Sequence, residues 1–201
     1  MRHSRAAPRS LRPGFLAALL LGGCTMPPLA PRTVLDERTG TSLTVVDQPL
    51  VLARERRDVA VQARDYLTLV AAEINESGHR QLVWVVHQWS TIDTRVTDFR
   101  PTPGATLLLV ADGRDLRLTP MGDSMALAYA QNPALLAPED ANTLTTLYAV
   151  DAATLEFVAT SRQVSATYPE SGLALPFALW KDGRPAIMRF LDQIGASGPT
   201  R

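Results

Sequence analysis

Beyond its first two dozen residues, this 201-residue chain has two histidines and a single lysine, and it has one cysteine in all. With Cys24 alone, no internal disulfide can form, and stability has to come from packing. His79 and His87 are followed by no other histidine, which removes the spacing that a Ser-His-Asp hydrolase, a zincin helix or a His-rich metal site requires. Structural roles are expected of both, His79 in a turn and His87 in a strand. Neither a glycine-rich phosphate loop nor a dinucleotide fingerprint occurs, so no cofactor, metal or catalytic constellation is expected. A hydrophobic fraction of 46% with 20% charged residues is that of an ordinary globular protein.

A strongly basic balance is missing as well. The formal net charge is zero, but Arg2, Arg5, Arg9 and Arg12 precede every acidic residue. Setting those four aside leaves 16 basic residues against 20 acidic ones. A remainder that is slightly acidic, with no basic cluster, lacks the electrostatic footprint of a nucleic-acid partner.

The longest apolar run is Phe15 to Leu21, far short of the ~20 residues that a membrane-crossing helix needs. What surrounds it explains it. An arginine-rich segment without acids precedes the run, and the small residues Gly22 and Gly23 follow, which is the order of an export signal. Leu21-Gly22-Gly23-Cys24 resembles the lipobox of bacterial lipoproteins, a match confined to the first two dozen residues. The resemblance implies cleavage between Gly23 and Cys24, a diacylglyceryl group on the Cys24 sulfur, and a mature chain held at a membrane by lipid. Two or three acyl chains at ~0.8 kcal/mol per buried CH₂ suffice for stable anchoring. By the same resemblance, Thr25 in place of an aspartate implies the outer membrane, with the protein facing the periplasm. Residues 24–32 carry three prolines and read as an extended tether, leaving 33–201 as one β-rich domain.

Within that domain, short apolar runs alternate with turn pairs. Strands are expected at 33–38 and 41–47 around Thr39-Gly40, and at 65–71 and 81–89 around Asn75 to Gly78, with Leu82 to Val86 central in the sheet. Residues 105–111 and 114–119 flank Asp112-Gly113, a pair suited to positive φ and so to a tight hairpin. A long irregular excursion spans 120–142. A strand at 147–150 leads to a short helix capped by Asp151, with Leu155, Val158 and Ala159 on one face. Strands at 163–168 and 173–180 precede a last helix from Pro185, with Ile187, Phe190, Leu191 and Ile194 at helical spacing and Gly195 at its end. The expected class is α+β, a mostly antiparallel β-sheet or sandwich with two short helices, one of them C-terminal.

The remaining candidates for chemistry are few. Gly122-Asp123-Ser124 resembles the start of one esterase class, but no late histidine supplies a base, so Ser124 reads as a loop residue. The pairs Asp93 and Asp98, Asp112 and Asp115, and Glu139 and Asp140 have no specific ligand spacing and read first as solvated turn residues. Aromatics are a better lead, since they line peptide and sugar grooves as well as cores. Alternation puts Trp84 and Val86 on one face of their strand and Val83, Val85 and Trp89 on the other. At least one tryptophan is expected in the core, while Trp89 and Trp180 are the candidates for an exposed binding patch. Two functions follow as expectations. The first is a non-enzymatic envelope module binding an envelope protein or polymer, and the alternative is an envelope-polymer hydrolase using Asp93, Asp98 or Glu139.

Overall fold

The computed structural model describes residues 30–37, 39–92, 104–122, 129, 132–138, 143–169 and 176–196. These form an α+β fold, a mostly antiparallel β-sheet with two helices, the second of them C-terminal. In chain order, β1 (Arg32–Asp36) and β2 (Thr41–Val45) make a hairpin, β3 (Leu50–Glu55) follows, and β4 (Arg64–Glu76) turns back as β5 (His79–Ser90). Next come β6 (Leu107–Ala111), β7 (Arg114–Leu118), β8 (Leu144–Ala149), α1 (Ala152–Thr160), β9 (Val164–Thr167), β10 (Phe177–Lys181) and α2 (Arg184–Ala196).

Local chemistry sets the turns. Asp112 and Gly113 have φ of 45° and 79°, and Ser77 and Gly78 have 51° and 93°, the left-handed pairs that fit the twist of a two-residue hairpin. β4 and β5 are longer than the apolar runs within them, because their polar ends continue the ladder from Asp65↔Ser90 to Glu76↔His79. β3 has no counterpart in the sequence pattern. Its apolar run is only Leu50 to Ala53, behind Pro49, and burial from both sides leaves no alternation to read. Gly195 lies inside α2 instead of after it.

The pairings close on themselves. β3, β4, β5 and β8 are successive neighbours, as are β7, β6, β9, β10 and again β3. The gap between β7 and β8 is bridged where Pro120 pairs with Tyr148 and the Met121 N–H donates to the Leu147 carbonyl at 2.8 Å. Eight antiparallel strands therefore form a ring, and the β1–β2 hairpin extends from the far half of β4, where Val45 pairs with Ala72. The Gln88 amide on β5 donates to the Tyr168 hydroxyl just beyond β9, half a ring away. The face carrying Gln88 is thus the interior, which side chains fill, as expected for so small a barrel. Leu52, Leu67, Leu69, Trp84, Leu107, Leu109, Tyr148, Ala166 and Phe177 are buried there.

The helices pack on the sheet through Leu155 and Val158 of α1 and Ile187, Phe190 and Ile194 of α2. The Asp151 carboxylate caps α1 by accepting from the Thr154 N–H at 2.7 Å. Gly183 lies so close to the loop before β3 that an added Cβ would stand 2.4 Å from the Pro49 carbonyl. A single 3₁₀ turn at Pro133–Leu135 covers the outer face of β5. The other described residues of the 120–142 excursion are 120–122, 129, 132 and 136–138.

Candidate functional site

At the end of the ring where β4 begins and β5 ends, one row crosses four adjacent strands on the outer face. Ala178 of β10 lies opposite Ala53 of β3, Ala53 opposite Tyr66 of β4, and Tyr66 opposite Trp89 of β5. The two aromatic rings stack, with centroids 4.2 Å apart and planes 11° from parallel. The Trp89 indole N–H donates to the Thr68 hydroxyl at 3.0 Å, which fixes its rotation. A register shift between Leu179 and Lys181 changes the aim of the intervening Trp180, as bulges do. Trp180 meets Tyr66 edge-on at 6.0 Å and is 55% exposed. The Arg64 guanidinium lies over the Trp180 ring at 4.7 Å.

Beside Trp180 and Arg64, two alanines leave the floor low. Ala53 and Ala178, with Arg54, Glu55, Arg64, Pro176, Leu179 and Trp180, line an open groove of about 440 Å³. Its charges are organised from below. Asp65 is fully buried on the interior face and accepts from Arg54 and from Arg56, the latter at 3.2 Å. Arg54 in turn sits over Phe177 at 4.8 Å. At the rim Glu55 pairs with Arg57 at 2.7 Å and with Arg64 at 3.8 Å, and the Arg57 bond holds its carboxyl below the usual range. The result is a groove with a low apolar floor and one aromatic wall, Trp180, against which the Arg64 guanidinium is already stacked, while Tyr66 and Trp89 adjoin it. It can hold a planar or apolar group, with Arg64 available to a hydrogen-bond acceptor.

The sequence candidates separate cleanly. Trp84 is fully buried in the interior, whereas Trp89 and Trp180 both meet Tyr66 on the outer face. Sequence reasoning missed Tyr66, Arg64 and the two alanines. Tyr66 shares the parity of Arg64 and Thr68, a half-polar alternation that marks an outward face. His79 opens β5 and is exposed, and His87 is buried. The His87 Nε2–H donates to the Leu135 carbonyl at 2.8 Å, and Nδ1 lies 2.8 Å from the Thr145 hydroxyl. Burial holds the imidazole pKa below its ordinary 6.5. Asp112 is structural too, its carboxylate accepting from the Gln163 and Arg162 N–H groups, and these bonds lower its pKa. Asp115 is exposed on β7. Cys24, Asp93, Asp98, Asp123, Ser124, Glu139 and Asp140 lie outside the described residues.

A second cleft, about 530 Å³, lies between the two helices and the β4–β5 hairpin. Arg80 crosses it, pairing with Glu73 at 2.6 Å and donating to the Ile194 carbonyl near the end of α2. Those contacts fasten the helix to the sheet. Among the described residues, no group of three or more His, Cys, Asp or Glu side chains gathers to hold a metal, and no helix is long and apolar enough to cross a membrane. No protein-family model, curated protein or solved structure matches the chain.

Proposed function

We propose that this is a lipid-anchored envelope protein whose folded part is a non-enzymatic binding module, taking another envelope component in the groove beside Tyr66, Trp89 and Trp180. One observation carries the binding reading: two tryptophans 91 positions apart in sequence converge on one buried tyrosine, next to an open groove whose wall is the half-exposed Trp180. Tryptophan, tyrosine and arginine are the residues that dominate binding energy where they cluster. Trp180 keeps about half its surface in solvent although Tyr66 and Arg64 hold its ring, which leaves an oriented apolar face free for a partner. Membrane residence rests on the lipobox resemblance at Cys24 and on the proline-rich tether that follows.

The test is photo-crosslinking of the full chain in its own envelope, with a photoreactive residue at Trp180 and a control at exposed Arg117 on β7. Adducts specific to position 180 that disappear when Arg64→Ala and Tyr66→Ala are combined are expected. Equal labelling at both positions would remove the groove from consideration. For the anchor, Cys24→Ala is expected to leave the longer precursor uncleaved and to abolish incorporation of labelled fatty acid. Unchanged lipid labelling in that variant would refute the assignment.

A further inference from the structure

The ring leaves one conspicuous loose end. β1 pairs with β2 along one edge, and among the described residues no strand pairs with its other edge. Such an edge is a row of backbone donors and acceptors ready to extend the sheet, and proteins usually blunt it with a bulge, a proline or an inward-pointing charge. β1 has no bulge or proline within its five residues, Arg-Thr-Val-Leu-Asp, and its charges, Arg32 and Asp36, stand only at its two ends. Leu35 is 62% exposed and Val34 39%.

The order of those residues has a symmetry. If a second β1 runs antiparallel beside the first with Val34 opposite Val34, then Arg32 stands opposite Asp36 at both ends, and Thr33 opposite Leu35. Residues directly opposite share a face, so each end joins a guanidinium to a carboxylate while the two valines meet at the centre. Asp36 already accepts from the Asn132 amide at 3.0 Å, and the two oxygens of a carboxylate can accept from several donors at once. A contact that is its own complement is what a two-fold dimer requires.

We propose that β1 is a self-association edge, on which two copies of this chain join their sheets in antiparallel register about Val34. A five-residue strand is a small contact beside stable complexes, which bury about 1,200–2,000 Å². Pairing is therefore weak in dilute solution and favoured where copies are held together on one surface. The surface contact rests on the anchor reading given above, while the register does not.

The register makes a test possible. Val34→Cys places two thiols directly opposite each other, within the ~4.4–6.8 Å Cα separation a disulfide spans, whereas Leu35→Cys sets them on a diagonal beyond it. Full-length chains carrying either substitution are oxidised both in membranes and after purification in detergent at high protein concentration, with the unsubstituted chain as control for Cys24. The detergent arm keeps the result independent of the anchor. More disulfide dimer is expected from Val34→Cys, although Leu35 is the more exposed. Adding Arg32→Asp should lower the Val34→Cys yield roughly fivefold to tenfold, since two favourable cross-strand pairs become unfavourable. Adding Asp36→Arg as well should restore it. Dimer yields that follow exposure, with Leu35→Cys equal or ahead, or a yield indifferent to the charge exchange, would overturn the proposal.

Discussion

His87 shows how burial turns an ordinary side chain into a conditional one. Its neutral ring satisfies the Leu135 carbonyl with Nε2–H and can accept the Thr145 hydroxyl with Nδ1, so a second proton removes one acceptor and adds a buried charge. The folded-state pKa lies below the ordinary 6.5, so below that pH the unfolded chain binds more protons than the folded one. Stability is thus complete above about 6.5 and declines as pH falls through that value toward the depressed one. The lowered carboxyl pKa values of Glu55, Asp58, Asp112, Asp151 and Asp182 act in a lower, separate window. His87→Gln is expected to flatten the fall of melting temperature between about pH 7.5 and 5. A slope equal to that of the parent would place the titration elsewhere. None of this was legible in the sequence, where His87 looks like any strand residue. Its burial depends on Leu135, 48 positions away.

At the scale of elements, legibility follows the range of the forces involved. The Asp112-Gly113 hairpin could be read because positive φ is decided by the residues themselves. The Asp151 cap and the apolar stripes of both helices were legible for the same reason. β3 could not be read, since what makes Leu50 to Glu55 a strand is β4 on one side and β10 on the other. The aromatic row was half legible: parity separates Trp89 from Trp84, but nothing local brings Trp180 to Tyr66. Asp112 also performs a task beyond its turn, because its carboxylate fastens the hairpin to the start of β9 through two backbone N–H groups. Asp112→Ala loses both bonds and introduces a side chain poorly suited to positive φ. A lower midpoint in urea unfolding is expected. An unchanged midpoint would show that the tip does not fasten β9.

For the whole molecule, the two sides of the ring are unequal. β4 and β5 share twelve paired positions, whereas among the described residues β8 meets the end of the β7 segment through the Pro120–Tyr148 bridge and the bond from the Met121 N–H to the Leu147 carbonyl. Tyr148 strengthens that seam from within, its hydroxyl donating to the Ala105 carbonyl at 2.8 Å. Tyr148→Phe keeps the ring's packing and leaves that buried carbonyl without its donor, at a cost of about 1–3 kcal/mol. The expected signature is a lower denaturation midpoint with an unchanged slope. A changed slope would instead mean that the seam has opened and altered how much surface is exposed.

Ring closure also orders events in time. β3 and β10 are neighbours in space, yet Leu52 and its partner Leu179 are separated by most of the chain. A chain that emerges from its amino end can form the β1–β2 and β4–β5 hairpins early, since their partners are close by. β3 has only β4 beside it until residues up to Lys181 have arrived, and Phe177 enters the core with them. Loop-closure entropy makes that last joining slow relative to the hairpins. Until then the far edge of β3 and the apolar faces of β6 and β9 stay open to water and to other chains. The interval before α2 docks is accordingly the stage at which a partner that shields bare strands has the most to protect.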